Sequence, residues 1–232
     1  MKTLSGIPAS RGICIGPVFQ FVRQELVVAE CKIDNTQKEI ERLDEALNVA
    51  KEQISAIYEK ALTEASKADA EIFQAHLMIL EDPELLSEAK KKIETEHCSA
   101  DFAMKETAQA FSNMMAAMND EYFAARATDI MDVGNRVLRI LLGVAESPTA
   151  SLVTPSIFVA DDLTPSDTVL LDKTMVVGFC TARGSATSHT AILARGLGIP
   201  AVAGAGEEVL DKKTGANVIL DGTKGQGGLR PT

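Results

Sequence analysis

The residues with the clearest chemical potential in this chain are Gly184-Ser185-Ala186-Thr187-Ser188-His189-Thr190-Ala191-Ile192-Leu193-Ala194-Arg195. They follow the apolar run Met175 to Phe179, long enough for a buried strand, and lead into an apolar-periodic stretch that stops at Gly196 and Gly198. The pattern puts His189 in the first turn of a helix, just after a flexible loop. Thr187 or Ser188 can cap that helix. The unpaired N–H groups of its first turn, at the positive end of the helix dipole, favour an anion. A neutral imidazole is also a good nucleophile near neutral pH. Such a histidine can take a phosphoryl group onto a ring nitrogen while loop amides and hydroxyls hold the resulting dianion. It can equally be a residue that only helps to cap a helix, and the stretch by itself leaves both roles open.

The elements that must position this loop lie on both sides of a change in pattern. Cys14 to Phe21 reads as a strand, at a sheet edge because of Pro17. The period then becomes helical. Ile40, Leu43, Leu47, Ala50, Ile54, Ile57 and Ala61 form one stripe behind a start at Asp34 or Asn35. Asp82-Pro83 starts another helix carrying Leu85, Leu86, Ala89 and Ile93. Ser99 starts the next, with Phe102, Phe111, Met114 and Met118 along it, and a last helix runs from about Asp120 to Leu142 with Gly143 as its stop. From about Glu146 short apolar runs return at Ser156–Ala160, Met175–Phe179, Pro200–Ala203 and Asn217–Leu220, and Gly222, Gly225, Gly227 and Gly228 mark turns. The expected organisation is an α/β domain of residues 1–20 plus 146–232, interrupted by an all-helical insert, a helix-hairpin bundle, over 21–145.

Composition narrows the class. The chain has 232 residues, 46% hydrophobic and 24% charged, an ordinary globular mixture able to bury a core. No apolar run approaches the ~20 residues that span a bilayer, and the N-terminus lacks a secretory pattern, so a soluble cytoplasmic protein without a membrane role is expected. Cys14, Cys31, Cys98 and Cys180 are too scattered for a metal motif or a compact disulfide framework and read as reduced thiols. The net charge of −10 sits entirely in residues 21–145, with 14 basic and 24 acidic side chains against nine of each in the flanks. That distribution argues against nucleic acid. It fits either steering of a basic partner protein or a solvated acidic helix surface.

Gly184 to Arg195, with Gly198-Ile199-Pro200-Ala201-Val202-Ala203-Gly204 after it, closely resembles the phosphohistidine signature of Enzyme I of the bacterial phosphoenolpyruvate:sugar phosphotransferase system. Four further blocks follow the order of that family: Gly6 to Gly12; Ile72 to Asp82; Asp120-Glu121-Tyr122 with Arg126 and Asp129; and Asp162 to Thr168. The resemblance implies a swivelling phosphohistidine α/β domain and a helical domain that docks the small carrier protein HPr. It further implies that His189 is phosphorylated, that Thr168 orients its ring, and that Gly184, Ser185, Thr187 and Ser188 form the phosphate loop. His76, Met78, Glu84 and Arg126 are the implied partner-binding residues. Arg195, nearly two helical turns beyond His189, is expected in a surface or salt-bridge role.

Two departures qualify the match. The family's commonest loop reads Gly-Gly-Arg-Thr-Ser-His, whereas Ser185 and Ala186 stand here, a form closer to the Enzyme I regions of multiphosphoryl transfer proteins, including those serving dihydroxyacetone kinase. Asp69 stands near where some members have a basic residue. The family also continues into a barrel domain that binds phosphoenolpyruvate and magnesium and forms the dimer. This chain is therefore expected to be an N-terminal portion, monomeric, without a metal or cofactor of its own and unable to use phosphoenolpyruvate alone. Two rivals stand beside this: the related swivelling domain of pyruvate phosphate dikinase or phosphoenolpyruvate synthase, against which the helical insert with His76 argues, and a non-catalytic HPr-binding regulatory module.

Overall fold

The run Ser156–Ala160 is buried along its whole length, the behaviour of a strand covered on both faces. Alternation divides its side chains: Phe158 and Ala160 join one apolar cluster with Phe179, Ala191 and Ala194, while Ile157 and Val159 join another with Val18, Cys180, Val202 and Leu220. This strand lies near the middle of a mixed eight-stranded sheet. The computed structural model describes residues 3–22, 26–64, 67–118, 120–144, 152–164, 167, 171, 174–186, 188–211 and 213–229. The chain forms two compact units, one of Met1–Gln24 with Ser147–Thr232 and one of Glu25–Glu146.

In the first unit the strands are β1 (Thr3–Ser5), β2 (Ile7–Ser10), β3 (Ile13–Phe21), β4 (Ser156–Ala160), β5 (Val176–Thr181), β6 (Ala201–Ala203), β7 (Asn217–Asp221) and β8 (Gln226–Leu229). Their order is β1-β8-β7-β3-β4-β5-β6-β2. β3 to β6 run parallel, and β1, β8, β7 and β2 pair antiparallel to their neighbours. β1 and β2 stand at opposite ends of that order yet only Gly6 separates them in the chain, so the sheet curls until its two edges meet. Gly6 donates its N–H to Gly225 O at 2.8 Å. A Cβ on Gly6 would lie 2.6 Å from Ala203 O, a gap only glycine tolerates. β3 is not an edge strand. Residues 13–17 pair with β7 and residues 18–21 with β4; Pro17, which lacks a donor, falls where the strand changes partner.

The second unit contains α1 (Thr36–Glu64), α2 (Lys67–Leu80), α3 (Pro83–Glu96), α4 (Ala100–Ala116) and α5 (Glu121–Leu142). The α1 stripe buries Leu43, Leu47, Ala50, Ile54, Ile57 and Ala61, with Ile40 half-buried at its start. Asp82 caps α3, accepting from Glu84 N and Leu85 N at 2.9 Å each; Leu85, Ala89 and Ile93 are buried, Leu86 only partly. Gly143, at φ +66°, ends α5. α4 departs from the sequence reading. Its buried face is Ala100, Ala103, Met104, Thr107, Ala108 and Ser112, while Met114 and Met118 are exposed and Phe102 and Phe111 half-buried. Small residues win that face because α5 comes very close: a Cβ on Gly134 would lie 2.7 Å from Ala108 Cβ, and Ser112 Oγ donates to Ala127 O at 2.9 Å. Ser99 occupies the N-cap position but its hydroxyl caps nothing. Glu39 of α1 does that work, accepting from Ala100 N at 2.8 Å while paired with Arg42.

Two thiols are enclosed by the curled sheet. Burial pushes Cys14 up to about 11 and Cys180 up to about 12, because a thiolate there would lose its water. Released on unfolding, both ionise near the ordinary value, so they stabilise the fold fully below about pH 8.5 and that contribution is lost as pH rises through the folded values. The urea midpoint of the wild type should fall more steeply from about pH 8 to about pH 10 than that of a Cys14→Ala/Cys180→Ala double variant. Parallel curves would contradict this. In the helical unit, Ile54→Ala should cost about 3 kcal/mol in urea unfolding, whereas Val49→Ala, on the exposed face of the same helix, should stay within about 0.5 kcal/mol.

Candidate functional site

The loop that reads as chemically competent leaves β5 and enters α6 (His189–Leu197). His189 is the first residue of that helix and Ser188 its N-cap, with an extended backbone and Oγ accepting from Ala191 N at 3.4 Å. Gly184 has φ +99°, a conformation that only glycine adopts readily, and Ser188 N returns to Ser185 O at 3.1 Å. The loop base is sewn to its neighbours: Arg183 N donates to Asp161 O at 2.8 Å, and Arg183 O accepts from Gly204 N at 3.2 Å. It therefore projects from the C-terminal ends of parallel strands, where open α/β sheets place their ligands. Of the residues read as the phosphate loop, Gly184, Ser185, Ser188 and the His189 backbone come together here. Thr168, Thr187 and the side chain of His189 lie outside the described residues, as does the side chain of Asp69.

Three features of this region were not legible beforehand. Arg195 is exposed, as expected, and has no ion pair among the described residues, but it is tied to the backbone. Its Nη1 donates to Ala9 O on β2 and to Ala186 O in the loop, at 2.8 Å each. A side chain on a helix points back toward its N-terminus, which brings a residue of the last turn within reach of the loop. Thr181 and Thr190, at the two ends of the loop, have buried hydroxyls with no hydrogen-bond partner among the described residues. Nothing in the sequence distinguishes such hydroxyls from ordinary strand and helix threonines.

In the helical unit the structure separates the four residues implied as partner-binding. Met78 is 70% exposed on α2 and Glu84 is exposed at the start of α3. Arg126 on α5 is half-buried and pairs with Asp129, Nη1 to Oδ2 at 3.2 Å. His76 is 1% exposed, so its ring cannot touch a partner in this arrangement. The reason is helical geometry: residues two apart are rotated by about 200°, so a helix that exposes Met78 turns His76 inward. There the ring meets Phe73 edge-on, with centroids 5.5 Å apart, and Nε2 lies 3.4 Å from Asp129 Oδ1 and Nδ1 4.0 Å from Asp132 Oδ2. Asp129 thus serves the buried His76 and the half-exposed Arg126 together. Among the described residues, no group of three or more His, Cys, Asp or Glu side chains is placed to hold a metal ion, and no helix is long and apolar enough to cross a membrane.

Two known sequence families cover most of the chain. Residues 5–126 match the model described as PEP-utilising enzyme, N-terminal, and residues 152–225 the model described as PEP-utilising enzyme, mobile domain. The chain belongs to the PEP-utilising enzyme family, in its Enzyme I branch. It is 45% identical over 226 residues to the phosphoenolpyruvate-protein phosphotransferase of Bacillus subtilis (strain 168), covering 97% of this chain and 40% of that protein. The corresponding protein of Geobacillus stearothermophilus is 43% identical over 231 residues, covering 100% and 40%. The chain thus spans about 40% of the length of the curated relatives it matches. Among solved structures, the solution structure of Enzyme I (nEIt) protein aligns with TM-score 0.81 and 43% identity over 99% of this chain and 93% of that one. The N-terminal domain of Enzyme 1 - Nitrogen aligns with TM-score 0.66 and 28% identity, over 98% and 94%.

Ser188→Ala should remove the side-chain cap of α6 and cost about 0.5–1 kcal/mol, the low end of such losses because the bond is long. Amide exchange is the check: Ala191 N–H should lose protection in the variant while β4 amides keep theirs.

Proposed function

We propose that this chain is the phosphocarrier portion of a phosphoenolpyruvate-protein phosphotransferase, with His189 as the residue that carries the phosphoryl group. The observation that carries the reading is the placement of His189 as the first residue of a capped helix, behind a loop whose Gly184 requires glycine, within the stretch that matches the mobile-domain family. A phosphoryl group on this histidine would meet free N–H groups and the positive end of α6. Ser185, Thr187 and Ser188 would add donors, and Thr168 would hold one ring nitrogen so that the other attacks. The nitrogen would displace pyruvate enolate from the phosphorus, forming an N–P bond as the C–O–P ester breaks. A histidine of HPr would then displace His189 from the same phosphorus. Positioning of the two imidazoles supplies most of the acceleration, since little else changes bonding.

In this reading the α/β unit swivels between donor and acceptor. Phosphoenolpyruvate and magnesium belong to the part of the relatives beyond the matched 40%, as does dimerisation, so this chain alone would be a monomeric, cytoplasmic carrier that needs no metal. The helical unit would dock HPr. Met78 offers an adaptable apolar contact, Glu84 and the surrounding acidic surface favour a basic partner, and Arg126 sets register. His76 would act only from within, by fixing Asp129 and through it Arg126. The relatives are phosphoenolpyruvate-protein phosphotransferases, which favours a plain Enzyme I over a multiphosphoryl fusion.

Intact-mass measurement after mixing with phospho-HPr near neutral pH tests the reading. The wild type should gain one acid-labile phosphoryl group and His189→Ala none, while Met78→Ala should slow transfer at limiting HPr and leave the final extent unchanged. An adduct on His189→Ala would overturn the assignment.

A further inference from the structure

Arg195 uses only one of its three guanidinium nitrogens to hold the loop. Both hydrogens of Nη1 are committed, to Ala9 O and Ala186 O. The Nε–H and Nη2–H pair, the parallel fork that matches two oxygens of a carboxylate or phosphate, has no protein partner among the described residues. Arg195 lines an open cleft of about 650 Å³, formed by the end of β2, the last turn of α6 at Gly198 and the β7–β8 turn at Gly222 and Thr223. A second arginine, exposed Arg11, lines the same cleft and has no ion pair among the described residues.

The electrostatic balance there is positive. Gly198 marks the C-terminal end of α6, whose dipole amounts to roughly half a negative charge, against two full positive charges from Arg11 and Arg195. Asp221, at the start of the β7–β8 turn, adds one negative charge while its Oδ1 accepts from Thr223 N and Lys224 N at 3.0 Å each, and the two arginines still outweigh that acid and the helix end together. Residues 1–20 and 146–232 carry nine basic and nine acidic side chains, so this unit has no net charge of its own to oppose an anion. A surface guanidinium is ordinarily solvated or paired with a carboxylate. Two of them sharing one concavity, one held rigid by backbone carbonyls, form a preorganised recognition element.

The geometry points to an oxyanion site in this cleft, taking a small phosphate- or carboxylate-bearing molecule on the Arg195 fork with Arg11 as second contact. Occupancy is transmitted to the His189 loop, because the guanidinium that grips the ligand is the one that grips Ala186 O. Binding is independent of the phosphocarrier reading; only its consequence for transfer rests on that reading.

Amide NMR titration of this chain with inorganic phosphate, and separately with acetate, tests the site, with chloride holding ionic strength constant. Saturable shifts are expected at Ser10, Arg11, Gly198 and Thr223, with the Ala186 amide following the same curve. Arg11→Gln, at an exposed side chain without partners, should weaken the apparent affinity about tenfold. Saturation by phosphate but not acetate identifies a phosphoryl ligand, and the reverse a carboxylate. Shifts that grow linearly, that ignore Arg11→Gln, or that appear only at the Ser188 to Thr190 amides would overturn the proposal; the last pattern would mark an anion at the start of α6 instead. Cleft saturation with an unmoved Ala186 would overturn the coupling. These shifts do not depend on phospho-HPr, so a failed transfer experiment and a failed titration are separate results.

Discussion

Closure of the sheet at Gly6 is the constraint on which the α/β unit depends. β1 must pair with β8 and β2 with β6, although one residue separates them in the chain. That is possible only if the intervening strands curl until their ends meet, and only if the joining residue has no side chain to strike Ala203 O. Closure leaves few sheet edges open and creates the dry interior that holds Val18, Ile157, Cys180 and Leu220. It also sets β2 beside β6 and α6, and so brings Ala9 within reach of Arg195.

The candidate site inherits its precision from that arrangement. β4, β5 and β6 end on the same side, and the loop after β5 is tied to the end of β4 through Asp161 and to the end of β6 through Gly204. Arg195 then fastens the middle of the loop to β2. A loop that accepts a phosphoryl group, as proposed for this one, must admit a ligand without collapsing onto its own amides, and fastening at base, middle and helix start meets both demands. The buried Thr181 and Thr190 hydroxyls stand within this framework.

Much of this was readable from residue order because local rules and tertiary packing agree in those places. The stripe from Leu43 to Ala61 is buried as its spacing requires, Asp82-Pro83 starts a helix, Gly143 ends one, and Ser188 and Gly198 bracket α6. Reading failed where a distant partner decides the outcome. Pro17 marks an edge by chemistry, yet β3 changes partner beside it. Ser99 is a good cap by type and holds the cap position, yet Glu39 from another helix accepts the free N–H of Ala100. The larger residues of α4 suggest a buried face, yet the closeness of α5 at Gly134 selects the smaller ones. β1, β2 and β8 were not foreseen as strands, since runs of three or four residues, with Pro8 in β2 and Gly227-Gly228 in β8, are too short to show alternation. His76 is a different failure: its position two residues before Met78 contained the answer, because one helix cannot present both to the same side.

The parallel pairing of β3 with β4 bears on the order of assembly during synthesis. Val18 pairs with Ile157 and Phe21 with Ala160, so the first strands leave the ribosome more than a hundred residues before their neighbours exist. The helices made in between contact one another over short sequence distances and can consolidate early. The N-terminal strands cannot: they wait with open hydrogen-bonding edges until β4, β6, β7 and β8 arrive. In a growing chain this interval leaves Ala9 and Val18, both buried in the finished sheet, and the unpaired strand edges open to aggregation until the later strands cover them.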